Sequence, residues 1–303
     1  MKVREVRYAN DRDAGFAMFA VLSFLLLSAA VITPFLTGAR TKALIARNVA
    51  ADLKDRLAAR GLLILAGQRY VSQTRLGVPV LLRQVVCDTP SGGVRFSFQN
   101  HAGLVDLNAA SPQLLALGFA ALGASPDSAL QLADAVVAFR TVATSAALPE
   151  PLSVRGGYKH GQFESVGELE DFPAPEGLSL TDARALFTVH SGTGTLHLDE
   201  APAALASAVK AIEPSSAYFV VQGRVPSGAL TVKAQLQRRG KMELTADGTV
   251  RPADAGSGLV FLTPVELRHE TSPIGAGPQD ETCETFFGKH GMAAIVALAG
   301  EGA

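Results

Sequence analysis

Charge and hydropathy divide the chain unevenly. Residues 16–39 contain no charged side chain, and Arg40 is the first charge after them. As a helix, such a stretch reaches about 36 Å at ~1.5 Å per residue, enough to cross the ~30 Å hydrocarbon core of a bilayer. Pro34 falls near its far end, where it kinks or thins the helix. Over residues 40–69 the pattern changes: Ile45, Val49, Leu53 and Leu57 recur every four positions, with Lys42, Arg47, Lys54, Asp55 and Arg56 between them. That periodicity predicts a continuing amphipathic helix whose apolar stripe docks on a globular body.

Further on the period shortens. Residues 78–86 are rich in β-formers, Ser91-Gly92-Gly93 is a turn signal, and residues 94–98 alternate with period two. A strand over 104–107 leads into a helix capped by Ser111 with Pro112 at its first position, its apolar face supplied by Leu114, Leu115 and Leu117. A second helix is expected over 126–140, with Leu130, Ala133, Val137 and Phe139 spread over two turns. Ser165 and Glu168 make a capping box for a short helix that turns Leu169 and Phe172 inward. Residues 140–160 read as loop. In the last third, strands are expected over 218–225, 229–237, 242–245 and 258–267, with Asp247-Gly248 as a turn. Residues 271–303 read as a flexible tail, ending at most in a short helix.

An internal echo stands out. Gly103-Leu-Val-Asp-Leu-Asn-Ala-Ala-Ser matches Gly194-Thr-Leu-His-Leu-Asp-Glu-Ala-Pro, so that Asn108 corresponds to Asp199 and Ser111 to Pro202. Each copy runs from an apolar strand through Asn or Asp into a small-residue helix carrying Leu114 or Leu205. Two copies are too few for a solenoid. A common strand-to-helix cap is the plainer reading of the same residues. The first copy, with the 163–172 segment, suggests a helix-hairpin-helix arrangement, a module often used on DNA.

Composition narrows the function classes. The chain has 303 residues, 27 Lys and Arg against 28 Asp and Glu, and a net charge of −1. Near-neutrality argues against a general polyanion binder. Charged residues are 18% of the chain and mean hydropathy is +0.23, an excess carried by residues 16–39 and the Ala-rich helices. Cys87 and Cys283 are too few for a disulfide framework or a four-thiolate zinc site. Both lie on the far side of the expected span. If that side is a bacterial periplasm, a disulfide between them is allowed, and two free thiols are the alternative.

The border before the apolar stretch has two readings. Lys2, Arg4, Arg7 and Arg12 precede it, with Glu5, Asp11 and Asp13 among them, which favours a cytoplasmic N-terminal end. A plain signal-anchor fits. The Gly15-Phe16 junction followed by Ala-Met-Phe-Ala-Val-Leu also resembles a type IV prepilin leader. That resemblance implies cleavage after Gly15 and methylation of the new Phe16 amine. Most pilin-like proteins carry Glu at the fifth mature position, and here it is Ala20. A buried carboxylate without a partner is costly. Its absence therefore either refutes a pilin-like reading or marks a tip subunit with no neighbour above it. Removing residues 1–15 takes four basic and three acidic residues, leaving 23 against 25 and a net charge of −2.

Three further segments, Leu107-Asn108-Ala109-Ala110-Ser111, Phe163-Glu-Ser-Val-Gly-Glu-Leu169 and Thr188-Val-His-Ser-Gly-Thr-Gly-Thr-Leu-His-Leu-Asp-Glu-Ala-Pro202, resemble the type II secretion system protein K family (general secretion pathway protein K), the large minor pseudopilins. The resemblance runs from Phe16 to about Glu270, and a non-acidic fifth mature position is typical of that family. The second copy departs from the family's usual Asn-Thr-Ala, having Asp199-Glu200-Ala201, and Asp199 is expected to keep an Asx turn at the strand end.

The resemblance implies an α+β fold. A long N-terminal pilin-like helix, its transmembrane half first, packs on an antiparallel sheet domain that carries a mostly α-helical, helix-hairpin-helix-like insertion. The expected organisation is leader 1–15, transmembrane helix 16–39, amphipathic helix and first strands 40–107, helical insertion 108–210, remaining strands 211–270 and tail 271–303. It also implies a non-enzymatic subunit at the tip of a periplasmic pseudopilus, held by the inner membrane and processed by a prepilin peptidase. Implied partners are I-like and J-like minor pseudopilins, then the H-like and major pseudopilins, with the secretin or exported substrates beyond them. Members of the family bind calcium. The acid clusters Asp280, Glu281, Glu284 and Glu168, Glu170, Asp171 match no EF-hand, and no metal ligand is assigned.

Other chemistry is sparse. No Gly-x-Ser-x-Gly, phosphate loop or His-Glu-x-x-His occurs. His190 and His197 flank Ser191-Gly192-Thr193-Gly194, a flexible turn or an anion nest, and no cysteine or third histidine near them completes a zinc site. The competing function is a membrane-anchored helix-hairpin-helix DNA receptor. Against it, residues 101–150 hold Arg140 as their only Lys or Arg, beside Asp106, Asp127, Asp134 and Glu150. No nucleic acid partner is therefore expected.

Overall fold

The computed structural model describes residues 11–76, 84–90, 92–142, 152–173, 180–210, 219–220, 228–238, 243–253, 258–270 and 281–300. The chain divides into two compact units, Met1–Asp55 and Arg56–Ala303. Helix α1 (Asp11–Arg75) contains the expected span and continues past it, with Pro34 inside.

Within the first unit, the apolar side chains of α1 are unburied. Phe16, Phe24, Leu26 and Phe35 are 75%, 69%, 71% and 76% exposed. Thr33, Thr37 and Thr41 donate their hydroxyls to carbonyls one turn back, to Ala29 at 2.7 Å, Thr33 at 3.1 Å and Thr37 at 2.9 Å. The helix thus satisfies these polar groups by itself, as a segment in hydrocarbon must. Ile45, Val49 and Leu53 are also exposed. The docking face of α1 is instead Ala59, Leu62, Leu63, Ala66 and Tyr70, all in the second unit. Leu57, the last position of the four-residue recurrence, is exposed too, and the docking residues lie on the opposite side of the helix from it.

That docking face lies on a seven-stranded sheet. Strands β1 (Gln84–Thr89) and β2 (Gly92–Asn100) form a hairpin. The chain then leaves the sheet for β3 (Val105–Asp106), α2 (Pro112–Ala121), α3 (Pro126–Arg140), β4 (Phe187–Thr188), β5 (Leu196–His197), α4 (Ala203–Lys210) and β6 (Phe219–Val220). It returns as β7 (Leu230–Arg238), β8 (Glu243–Pro252), β9 (Leu259–Phe261) and β10 (Glu266–Glu270), and ends in β11 (Glu281–Thr282) and α5 (Cys283–Gly300). The sheet order is β10-β8-β7-β2-β1-β11, with β9 also on β8. All pairings are antiparallel except β1 with β11.

Register puts one apolar face together. Val94, Phe96 and Phe98 of β2 stand opposite Leu236, Ala234 and Val232 of β7, and Leu236, Ala234 and Leu230 stand opposite Leu244, Ala246 and Val250 of β8. Period-two alternation turns these toward α1 while Arg95, Gln235 and Lys233 point away. Asp247-Gly248 is not a turn: Asp247 pairs with Lys233 and Gly248 with Val232 inside a continuous β8. Leu63 Cδ1 would lie 3.8 Å from a Cβ on Gly248, so the glycine sits under helix α1.

The insertion begins directly after the sheet residue Asn100 and ends before Leu230, the two being cross-strand partners. Its bounds are wider than 108–210 because β3 pairs with β4, and β6 pairs with β5, rather than with the sheet. Strand residues expected over 218–225 are therefore represented by a two-residue piece of the insertion, and 218 and 221–225 lie outside the described residues. So do residues 78–83 and 143–151. The insertion has its own core, which includes Leu107, Leu115, Phe119, Leu132, Phe139, Phe163, Leu169, Phe187, Leu196 and Leu205. On α3 the inward residues include Ala129, Leu132, Ala133, Val136 and Phe139, whereas Leu130 is exposed.

The C-terminal segment departs from the flexible tail expected of it. Glu281–Thr282 adds a parallel strand to β1, and Phe286, Phe287, Ile295 and Ala299 of α5 enter the sheet core. Gly288, at φ +69, breaks the helix so that both apolar clusters face inward. Cys87 and Cys283 form a disulfide with a Cα–Cα distance of 5.0 Å and a sequence separation of 196. Glu284, Gly288 and Gly291, which contributed to the expectation of mobility, lie among these anchors. Residues 271–280 and 301–303 lie outside the described residues.

Candidate functional site

Two regions carry the features singled out in the sequence: the N-terminal helix and the paired strand-to-helix motifs of the insertion. Gly15, Phe16 and Ala20 all lie in α1, with Phe16 and Ala20 exposed. Residues 1–10 lie outside the described residues. Among the described residues one helix is long and apolar enough to cross a membrane, and its most apolar window is wholly unburied.

In the first motif the organising residue is Asp106, which sequence reading passed over. Its carboxylate is buried and accepts four hydrogen bonds. Oδ1 takes the amides of Asn108 at 2.8 Å and Ala109 at 3.1 Å; Oδ2 takes Ser191 Oγ at 2.9 Å and the Gly192 amide at 2.8 Å. The Ser191–Gly194 turn is thus an anion nest filled by a side chain of the same protein. The signal for it was an acid between Val105 and Leu107 in an otherwise apolar strand. The turn after β3 is made by Asp106, not by Asn108. Asn108 clamps the 163 segment instead, donating Nδ2 to Phe163 O at 2.9 Å and accepting the Phe163 amide on Oδ1 at 2.8 Å. Ser111 accepts the Leu114 amide and caps α2, as its spacing predicts.

Arg140 closes this motif. Its guanidinium donates to the carbonyls of Leu107 and Ala110, both at 2.6 Å. Partial burial lowers its pKa while Asp106 raises it. In the second motif Asp199 lies inside the short 3-10 turn Leu198–Glu200, not at a strand end, and His197 at its N-cap makes no capping bond. Pro202 precedes α4 and accepts the Ala206 amide at 2.9 Å.

The two motifs contact each other reciprocally. A Cβ on Gly103 would lie 2.2 Å from Glu200 O, and one on Gly194 would lie 3.0 Å from Ala109 O. Gly103 and Gly194 are equivalent in the echo, as are Ala109 and Glu200. The copies are therefore arranged about a local pseudo-dyad, each glycine admitting the other copy's turn.

The histidines divide similarly. His101 is buried where the insertion leaves the sheet, its Nδ1 2.6 Å from Thr188 Oγ1 and its Nε2 2.8 Å from Thr231 Oγ1. Burial, and secondarily the neighbouring His190, lower its pKa to about 3. His190 lies beside it, ring centroids 5.9 Å apart. Burial lowers the pKa of His190 against the pull of Asp106, and that of His197 against Asp199.

Calcium does not fit at Glu168. Glu168 Oε1 accepts the Glu164 amide at 2.6 Å and the Ser165 amide at 3.0 Å, and its Oε2 faces Lys159 Nζ at 3.2 Å. Both oxygens meet hydrogen-bond donors, the wrong environment for a cation. Lys159 is correspondingly held protonated to higher pH, first by Glu164. Among the described residues no group of three or more His, Cys, Asp or Glu is placed to hold a metal. Asp280 lies outside them.

Similarity to known proteins is slight. No protein-family model matches the chain, and no curated protein matches it. A solved structure does resemble it. A chain of the GspK-GspI-GspJ complex from the enterotoxigenic Escherichia coli type 2 secretion system is 10% identical at a TM-score of 0.48, covering 76% of this chain and 100% of that one. Likeness of this degree identifies neither a partner nor an activity. What remains on this chain is structural: a helix long and apolar enough to cross a membrane, a sheet on which its later part packs, and an insertion in which Asp106, Asn108, Ser111 and Arg140 hold local turns.

Proposed function

We propose that the chain is a membrane-anchored assembly subunit, a minor pseudopilin at the tip of a periplasmic pseudopilus. The observation that carries this reading is α1 itself, with a charge-free, fully exposed part over 16–39 and a later part packed on a sheet. Such a helix anchors the head before assembly and lines a filament afterwards. Ala20 supports the tip position. A fifth-position carboxylate needs a neighbour's amine in an apolar setting, and a terminal subunit has no such neighbour. The insertion gives the head bulk for a cap, and its Asp106, Asn108 and Arg140 side chains are committed to its own turns. The partners in this reading are I-like and J-like minor pseudopilins, then the H-like and major pseudopilins, with the secretin or exported substrates beyond. The N-terminal end is cytoplasmic, and a prepilin peptidase cuts after Gly15.

The DNA-receptor reading loses its one basic side chain in 101–150, because Arg140 is spent on the carbonyls of Leu107 and Ala110. Phosphate binding there has no cation to use. Mass spectrometry of the chain from cells carrying prepilin peptidase tests the proposal. A start at methylated Phe16, with co-purification of I-like and J-like subunits, is expected. An intact leader together with no co-purifying pseudopilin would sink it.

A further inference from the structure

Topology leaves one charge cluster on α1 unexplained. Orientation follows the count of Lys and Arg near each end of a span, not net charge. Lys2, Arg4, Arg7 and Arg12 lie on the N-terminal side of residues 16–39, and Arg40, Lys42, Arg47 and Lys54 lie within fifteen residues on the other. The far side therefore carries as many cations as the near side and opposes the orientation the leader favours. Arg40, Lys42 and Arg47 are exposed, and none has an ion pair to another described residue.

Helix geometry says what these three can reach. At ~1.5 Å per residue they stand about 1.5, 4.5 and 12 Å past Ala39 along the helix. The headgroup layer is roughly 5–7 Å deep on each side of the hydrocarbon. Side chains on a helix tilt toward its N-terminus, here toward the membrane, and the long stems of Arg and Lys can lie along the apolar surface while the charge stays at the interface. Arg40 and Lys42 thus sit in the headgroup layer, and Arg47 reaches back to its edge. Arg40 and Arg47, seven residues apart, share one side of the helix, and Lys42 lies on the opposite side, so the cations ring it.

We propose that Arg40, Lys42 and Arg47 form a collar that binds the phosphates of anionic glycerophospholipids on the far leaflet. The collar fixes how deeply α1 sits before the chain is drawn into an assembly. Lys54 belongs to the same stripe as Arg40 and Arg47 but stands about 22 Å past the span, too far to take part. The proposal rests on residues 16–39 spanning the membrane.

The test uses the full-length chain in phosphatidylcholine bilayers containing spin-labelled phosphatidylglycerol or spin-labelled phosphatidylcholine, with carbonate-resistant flotation measured first. The native chain is expected to hold the phosphatidylglycerol probe several-fold better than the phosphatidylcholine probe. A cation at the surface contributes at most about fivefold, and the preference should fall as salt rises. The triple variant Arg40→Gln, Lys42→Gln, Arg47→Gln should bring the ratio close to one, and Lys54→Gln should leave it unchanged. A triple variant that floats normally and keeps the native preference overturns the proposal. So does one that keeps the preference but loses a co-purifying pseudopilin, since the cations then face protein carboxylates. A native chain stripped from vesicles by carbonate overturns the membrane reading and the collar with it.

Discussion

Glycine at 103 and at 194 answers one geometric demand seen from two sides. Each lies against a carbonyl of the other motif copy, but Gly103 is far tighter, at 2.2 Å against 3.0 Å for an added Cβ. Gly103→Ala is therefore expected to destabilise the head by about 1–3 kcal/mol or more, as overpacking does, and Gly194→Ala by distinctly less. Chemical denaturation of the two variants checks the order, and equal losses would show that the shorter approach at Gly103 does not set the cost. His101 makes a second demand at this scale. Its folded pKa of about 3 lies below its ordinary 6.5. Between those values the unfolded chain takes a proton that the folded chain refuses. Stability from this residue is thus complete above about pH 6.5 and is lost as pH falls through the window, at no more than about 1.4 kcal/mol per pH unit. Denaturation measured from pH 7 to 4 should show that slope, and His101→Gln should flatten it. His190 and His197, whose pKa values are also lowered, keep a residual slope in the variant. An unchanged slope in His101→Gln would place the proton elsewhere.

Whether an element was legible depended on where its determinants lie. Helices α2 and α3 carry theirs locally, in Ser111-Pro112 and Ser125-Pro126, and both start where those caps dictate. The local half of Asp106's role, its bonds to the Asn108 and Ala109 amides, is a short-range turn, but its other partners, Ser191 and Gly192, are distant in sequence and meet it only through the β3–β4 pairing. Asp247-Gly248 misled for the opposite reason: a strong local turn signal was overruled by register, since β7 pairs along the whole of that stretch. Helix α5 was illegible because its order depends on a cross-link to β1 and on burial of Phe286 and Phe287 under α1 and the sheet. Arg69 Nε adds a hydrogen bond to Phe286 O at 2.5 Å. Removing the cross-link should therefore act mainly on this element. Cys87→Ser with Cys283→Ser is expected to cost about 2–5 kcal/mol and to expose α5 to protease before the rest of the head. Limited proteolysis with mass spectrometry checks this, and simultaneous digestion of head and helix would show that α5 has no separate stability.

At the scale of the molecule, the apolar helix and the succession of strands and helices follow from the order of hydropathy periods along the sequence, the helical insertion was what the family resemblance implied, and the place where it joins the sheet follows only from pairing. Asn100 and Leu230 are direct antiparallel partners, so the whole insertion hangs from what could have been a hairpin turn. Among the described residues the sheet core contains no insertion residue, and the insertion core contains no sheet residue. Polar bonds cross between them: His101 to Thr231, and Gln99 Nε2 to Glu200 O at 3.2 Å. Two cores joined by polar bonds should separate more readily than one continuous core, because each such bond adds only about 0.5–1.5 kcal/mol net. Replacing residues 101–229 with a short Gly-containing turn of the kind that closes antiparallel hairpins is therefore expected to leave the anchor and sheet folded. The shortened chain should still form the Cys87–Cys283 disulfide and unfold cooperatively. Non-reducing electrophoresis with a free-thiol assay, followed by a thermal melt, reads both properties. Free thiols with no cooperative transition would mean that the sheet needs the insertion to fold. On the proposed function, the same variant separates anchoring from capping: it should still float with membranes and should fail to take a place at a filament tip.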